Sequence, residues 1–153
     1  MDTTSPSRWL EAQHRQIDQG IEGMLNGTGT LGQLAASLDL LRLHLYIEEA
    51  VLFPPLEKAG LTMPVFVMQR EHGQMWPLLQ SLAAACATGT IGPDVRDEGD
   101  ELLSLLQIHN PKEERILYSV ADHQAARQAD DALMQALQAA RVPSDWACVM
   151  ARR

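Results

Sequence analysis

Leu41-Arg42-Leu43-His44-Leu45-Tyr46-Ile47-Glu48-Glu49-Ala50-Val51-Leu52-Phe53 and Leu106-Gln107-Ile108-His109-Asn110-Pro111-Lys112-Glu113-Glu114-Arg115-Ile116-Leu117-Tyr118 are two versions of one pattern. Leu, His, Glu, Glu and Leu recur in register. Each copy follows a segment with a single interior histidine, His14 before the first and His72 before the second. The repeating unit is therefore an αα-hairpin carrying His and then HxxxEE, and two such hairpins make a pseudo-twofold bundle.

Breakers delimit the helices around these copies. A first helix is predicted to follow the turn-like Thr3-Thr4-Ser5-Pro6-Ser7, with Ser7 as its N-cap, and to end at Asn26-Gly27. A second runs from about Leu31 to Phe53, where Pro54-Pro55 should end or kink it. A third starts at Pro64, a residue favoured in a first turn, and reaches Ala87. A fourth runs from Asp94 to about Ala121, bent at Pro111. A further helix-like stretch, Asp122 to Arg141, stops at Pro143. The expected fold is all-α, a four-helix bundle over about 8–121 with an additional C-terminal helix over about 122–141 and a short tail, in one domain spanning 1–153.

Helical phase tests whether the polar residues of the pattern meet. Positions four apart differ by about 40° around the axis and about 6 Å along it, so His44 and Glu48 share a face, as do His109 and Glu113. Those faces also carry Leu40, Leu41 and Val51, or Leu102, Leu106 and Ile116, so they point into the core. His14 lies among Leu10, Ile17 and Ile21, and His72 among Val65, Met68 and Leu79. Any one of these could be a hydrogen-bonded core residue. Together, four imidazoles and two carboxylates in one bundle core carry a large desolvation cost unless a cation sits among them. The candidate metal ligands are His14, His44, Glu48, His72, His109 and Glu113. Glu49 and Glu114 point about 140° away from His44 and His109, which suits an outer or solvent-facing role. Asp18, one turn after His14, either orients that imidazole or faces solvent. His123 stands ten residues beyond Glu113, about 15 Å of helix, and is read as a surface or hinge residue.

The formal charge of −8 and the sequence pI near 5.0 argue against a nucleic acid or an anionic membrane as partner. Met1 to Trp9 does not read as a secretory signal and no segment approaches a membrane span, so the expected location is cytoplasmic. Cys86 and Cys148 suggest reduced packing residues rather than a disulfide framework.

The pattern His14, His44-x-x-x-Glu48, His72, His109-x-x-x-Glu113 resembles the hemerythrin-like (HHE cation-binding) family, through about Ala121. The second copy is especially similar to that of di-iron proteins that repair damaged iron–sulfur centres. The resemblance implies an up-down four-helix bundle holding two metals near its middle. The nitrogen and oxygen donors suit two iron ions, oxo- or hydroxo-bridged, with manganese or zinc as substitutes. Oxygen-carrying members add a histidine where this chain has Trp76. On that ground the two metals are expected to be similarly coordinated, each with an exchangeable position, against a wall that includes Trp76, Met75 and Met68. The implied function is a di-iron protein that binds nitric oxide or dioxygen in nitrosative or oxidative stress, and that reports to a separate protein partner where it acts as a sensor. The alternative is an enzyme or iron-delivery protein acting on nitric oxide or peroxide, or repairing iron–sulfur centres.

Overall fold

In the computed structural model, which describes residues 5–129 and 131–151, every regular element is helical. Helix α1 spans Pro6–Asn26, α2 Leu31–Ile47, α3 Phe53–Lys58, α4 Thr62–Thr88, α5 Pro93–Lys112, α6 Tyr118–Ala126 and α7 Ala132–Ala139. Ser5, not Ser7, caps α1. Its side chain accepts from the Arg8 N–H while Pro6 takes a first-turn position that needs no amide. Ser7 instead donates its N–H and hydroxyl to Asp122 at 2.9 and 2.6 Å, tying the start of α1 to α6. Gly27, at φ 74°, ends α1 in the left-handed conformation that glycine adopts without a Cβ penalty.

Two short π turns, Glu48–Leu52 and Glu113–Leu117, join α2 to α3 and α5 to α6. They fall at the HxxxEE copies and correct the expected breaks. The wider turn closes with the Phe53 N–H on the Glu48 carbonyl, so Pro54 and Pro55 fall in the first turn of α3, where proline is tolerated. The second rod therefore continues to Lys58 instead of stopping at the prolines. The fourth rod likewise passes Pro111 and Ala121 to reach Ala126, and the chain beyond it folds only as the short α7, not as one helix over 122–141.

α1 packs on α2 and α5, and α4 on α2 and α5, closing a ring of four rods. The core has two apolar clusters. Ile17, Leu41, Leu45, Met75 and Leu106 belong to one; Leu10, Ile47, Met68, Leu117 and Tyr118 belong to the other. Along the chain α1 passes from the second cluster to the first, α2 returns, α4 goes up again and α5 comes down, which makes the bundle up-down-up-down. On every rod the histidine stands between the two clusters. The polar residues thus occupy one layer with hydrocarbon above and below.

α7 covers the first π turn through Leu133, Met134 and Leu137. Beyond it the chain lies against α2 and α4. Arg42 Nη2 donates to the carbonyls of Pro143, Ser144 and Trp146, and the Trp146 ring sits edge-on to both Tyr46 and Trp76, 5.3 and 5.4 Å between centroids. The indole of Trp76 therefore meets the tail, the 40° advance from His72 having carried it to that flank. Cys148 is buried beneath the tail and Cys86 lies apart from it, both unpaired. Among the described residues no helix is long and apolar enough to cross a membrane.

Candidate metal centre

His14, His44, Glu48, His72, His109 and Glu113 all converge in the polar layer, none more than 4% exposed. Glu48 and Glu113 lie between the imidazoles and face both ways. Glu48 Oε2 is 3.3 Å from His44 Nε2 while its Oε1 is 3.2 Å from His72 Nε2. Glu113 Oε1 is 3.2 Å from His14 Nε2 while its Oε2 is 3.0 Å from His109 Nε2. Two donor groups result, His14, His44, Glu48 and Glu113 on one side and His72, His109, Glu48 and Glu113 on the other.

The outer nitrogen of every histidine is tied. Nδ1 of His14 donates to Glu114 Oε2 at 2.8 Å, that of His44 to Gln13 Oε1 at 2.7 Å, that of His72 to Glu49 Oε2 at 2.8 Å, and that of His109 to Glu71 Oε1 at 2.8 Å. Such acceptors fix the Nδ1–H tautomer and turn Nε2, with its lone pair, inward. Glu71 also pairs with Lys112, and Glu49 accepts from the Val149 N–H at 2.9 Å, so the C-terminal tail supports His72 through Glu49. Glu49 and Glu114, which helical phase allowed to be solvent groups, are thus imidazole partners, helped by the smaller angle between successive residues in a π turn. Asp18 does not orient His14. Glu114 has that place, and Asp18 is half-buried with Oδ1 unpartnered, burial pushing its carboxyl up to about 6. His123 is exposed.

The layer is unsatisfied as it stands. Glu48 Oε1, His72 Nε2, His109 Nε2 and Glu113 Oε2 are buried and have no hydrogen-bond partner, an arrangement that costs free energy unless a cation lies among them. Without a metal, protons take its place. Burial opposes the imidazolium of His14, but hydrogen bonds with Glu113 and Glu114 and the Glu113 and Glu48 charges outweigh it and hold its pKa up at about 10. His72 and His109 are raised for the same reason, against the same opposition from burial. Burial likewise opposes ionisation of Glu48 and Glu113, yet the imidazoles around them hold both carboxyls below their usual range.

Tyr118 is the residue that helical phase missed. It is fully buried and stacks on His14 at 5.6 Å, with its hydroxyl 2.6 Å from Glu48 Oε2 and 3.2 Å from Glu113 Oε1. Burial, and then the charges of Glu113 and Glu48, push the phenol well above its ordinary pKa. At 100° per residue Tyr118 would lie about 140° from Glu113, but the intervening π turn brings it back to the same face. The repeat held the available signal, since Phe53 occupies the matching position and stacks on His72 at 5.7 Å.

Paired carboxylates between four inward-facing imidazoles on a four-rod bundle are what the hemerythrin HHE cation binding domain predicts, and the model of that family matches residues 5–121. The chain belongs to the hemerythrin HHE family. Among curated proteins and among solved structures, nothing matches it. The matched span holds all six candidate ligands, Tyr118 and the four acceptors on the Nδ1 atoms, whereas the tail that steadies Glu49 lies outside it. Ending the chain at Arg141 is therefore expected to leave the hemerythrin bundle helical but to weaken metal retention about 10–100-fold, the usual cost of losing support for a ligating imidazole. Competition with a chelator measures this, and unchanged retention would show that Glu49 holds His72 without the tail.

Proposed function

We propose that this hemerythrin domain holds two iron ions through His14, His44, Glu48, His72, His109 and Glu113, and that the centre binds nitric oxide or dioxygen. The observation that carries the reading is the set of four buried donor atoms without partners, complemented by four imidazoles whose outer nitrogens are already committed. All-nitrogen-and-oxygen donors with no thiolate suit iron or manganese, and two shared carboxylates suit a pair of ions better than one. When bound, the irons supply open coordination positions and an electron source for a diatomic ligand. The chain's own part is to present neutral Nε2 donors, to neutralise the ions with two carboxylates, and to keep water out with apolar layers on both sides.

An apolar surface pocket of about 240 Å³, lined by Met63, Pro64, Val67, Met68, Lys112, Ile116 and Leu117, supports an uncharged ligand. Its buried members, Met68 and Leu117, stand one turn from His72 and Glu113. The whole chain is read as one domain, soluble and cytoplasmic, acting in stress response and passing its state to a protein partner.

Elemental analysis of anaerobically loaded protein is expected to give two irons per chain, and stopped-flow mixing of the reduced form with nitric oxide a stable adduct. No more than one tightly held iron would overturn the binuclear centre. Turnover of nitric oxide to nitrous oxide would replace the binding reading with an enzymatic one.

A further inference from the structure

We infer that Tyr118 is a fifth protein ligand of the metal held by His14, His44, Glu48 and Glu113, so that the two metal positions are built unequal. This rests on the two-metal reading above. The Tyr118 hydroxyl oxygen lies 2.6 Å from Glu48 Oε2, 3.1 Å from His14 Nε2, 3.2 Å from Glu113 Oε1 and 3.4 Å from His44 Nε2. The four donors around it are themselves separated by 3.0 Å (His14 to His44), 3.2 Å (His14 to Glu113) and 3.3 Å (His44 to Glu48), and the donor atoms of this group all lie within 4.8 Å of one another. The five atoms outline a square pyramid with the phenol oxygen at its apex. A pyramid with edges of about 3 Å encloses a point about 2.1 Å from every corner, the length of metal–nitrogen and metal–oxygen bonds.

The other position has no such cap. There the pseudo-twofold puts Phe53 where Tyr118 stands, stacked on His72 as Tyr118 is on His14 but without an oxygen to offer. Its four donors are the ones left without partners. Five protein donors on one side and four on the other concentrate the exchangeable positions on the metal held by His72 and His109. The equality expected from Trp76 considered only a position in α4 and omitted an aromatic delivered by the second π turn.

Coordination breaks the phenol O–H bond and forms a metal–oxygen bond, and the proton, which the phenol donates to Glu48 in the metal-free protein, leaves to solvent. A cation among the carboxylates reverses the electrostatics that keep this phenol protonated.

The experiment is resonance Raman spectroscopy of the full-length, iron-loaded, oxidised protein, with iron content measured on the same samples. Expected are a visible phenolate-to-iron absorption and enhanced tyrosine ring vibrations beneath it. Both should be lost completely in Tyr118→Phe and retained in Tyr46→Phe, the chain having only these two tyrosines. The Tyr46→Phe protein assigns the phenolate even where Tyr118→Phe folds poorly. Two irons per chain with no tyrosine vibrations, or vibrations that persist in Tyr118→Phe, would overturn the ligand role and leave the binuclear centre standing. Iron content no higher than one in the parent protein would overturn both.

Discussion

Glu113→Ala should lose both metals, because each Glu113 oxygen serves a different donor group, Oε1 beside His14 and Oε2 beside His109. Iron content after anaerobic loading is expected to fall from two per chain to well below one. The metal-free variant should also be less stable by about 3–5 kcal/mol, the usual cost of removing one partner from a buried ionic network. Glu48→Ala should behave alike, since its two oxygens divide in the same way between His44 and His72. Alanine at Glu114 or Glu49 removes only the acceptor behind one imidazole. Two irons should remain in those variants, with retention reduced about 10–100-fold. Equal iron loss from all four substitutions would mean that Glu48 and Glu113 do not bridge.

Metal-free protein is expected to lose stability as pH rises between about 6.5 and 10, where His14 passes from its ordinary pKa to its folded one. The sign is set by a folded pKa above the unfolded one: the contribution is fully present below 6.5 and gone once pH has risen through about 10. The raised pKa values of His72 and His109 add in the same direction. Each kcal/mol lost should lower the Tm by about 2–4 °C for a domain of this size. Iron-loaded protein should not share the fall, because its imidazoles are already neutral and protons compete less with metal as pH rises. Loading near neutral pH should accordingly release protons, measurable in a weakly buffered indicator solution. A metal-free Tm that stays flat or rises across this window would show that the imidazoles are not held as cations by Glu48 and Glu113.

The four rods, their core faces and the six converging side chains were legible from the sequence. Each depends on a periodicity that holds along an uninterrupted α-helix, and His44 with Glu48, or His109 with Glu113, lies within one such turn. Gly27 and the Gly92-Pro93 pair, being local backbone constraints, could be assigned to helix boundaries without knowing the neighbours. The π turns could not be so assigned, since one extra residue in a turn is stabilised by what it allows to pack and leaves no mark in hydrophobic spacing. Everything downstream of them was misphased: the passage of Pro54-Pro55, the approach of Glu49 to His72 and of Glu114 to His14, and the arrival of Tyr118 between the carboxylates. The tail is the other feature that only the tertiary structure decided. Trp146 and the Val149 N–H find Trp76 and Glu49 across about 70–100 residues of chain, and contacts so distant carry no periodic signature. The sequence thus determined which side chains face the core, because that is a consequence of the pitch of a helix; the tertiary structure decided which atoms complete the two metal positions, because that depends on where the pitch changes.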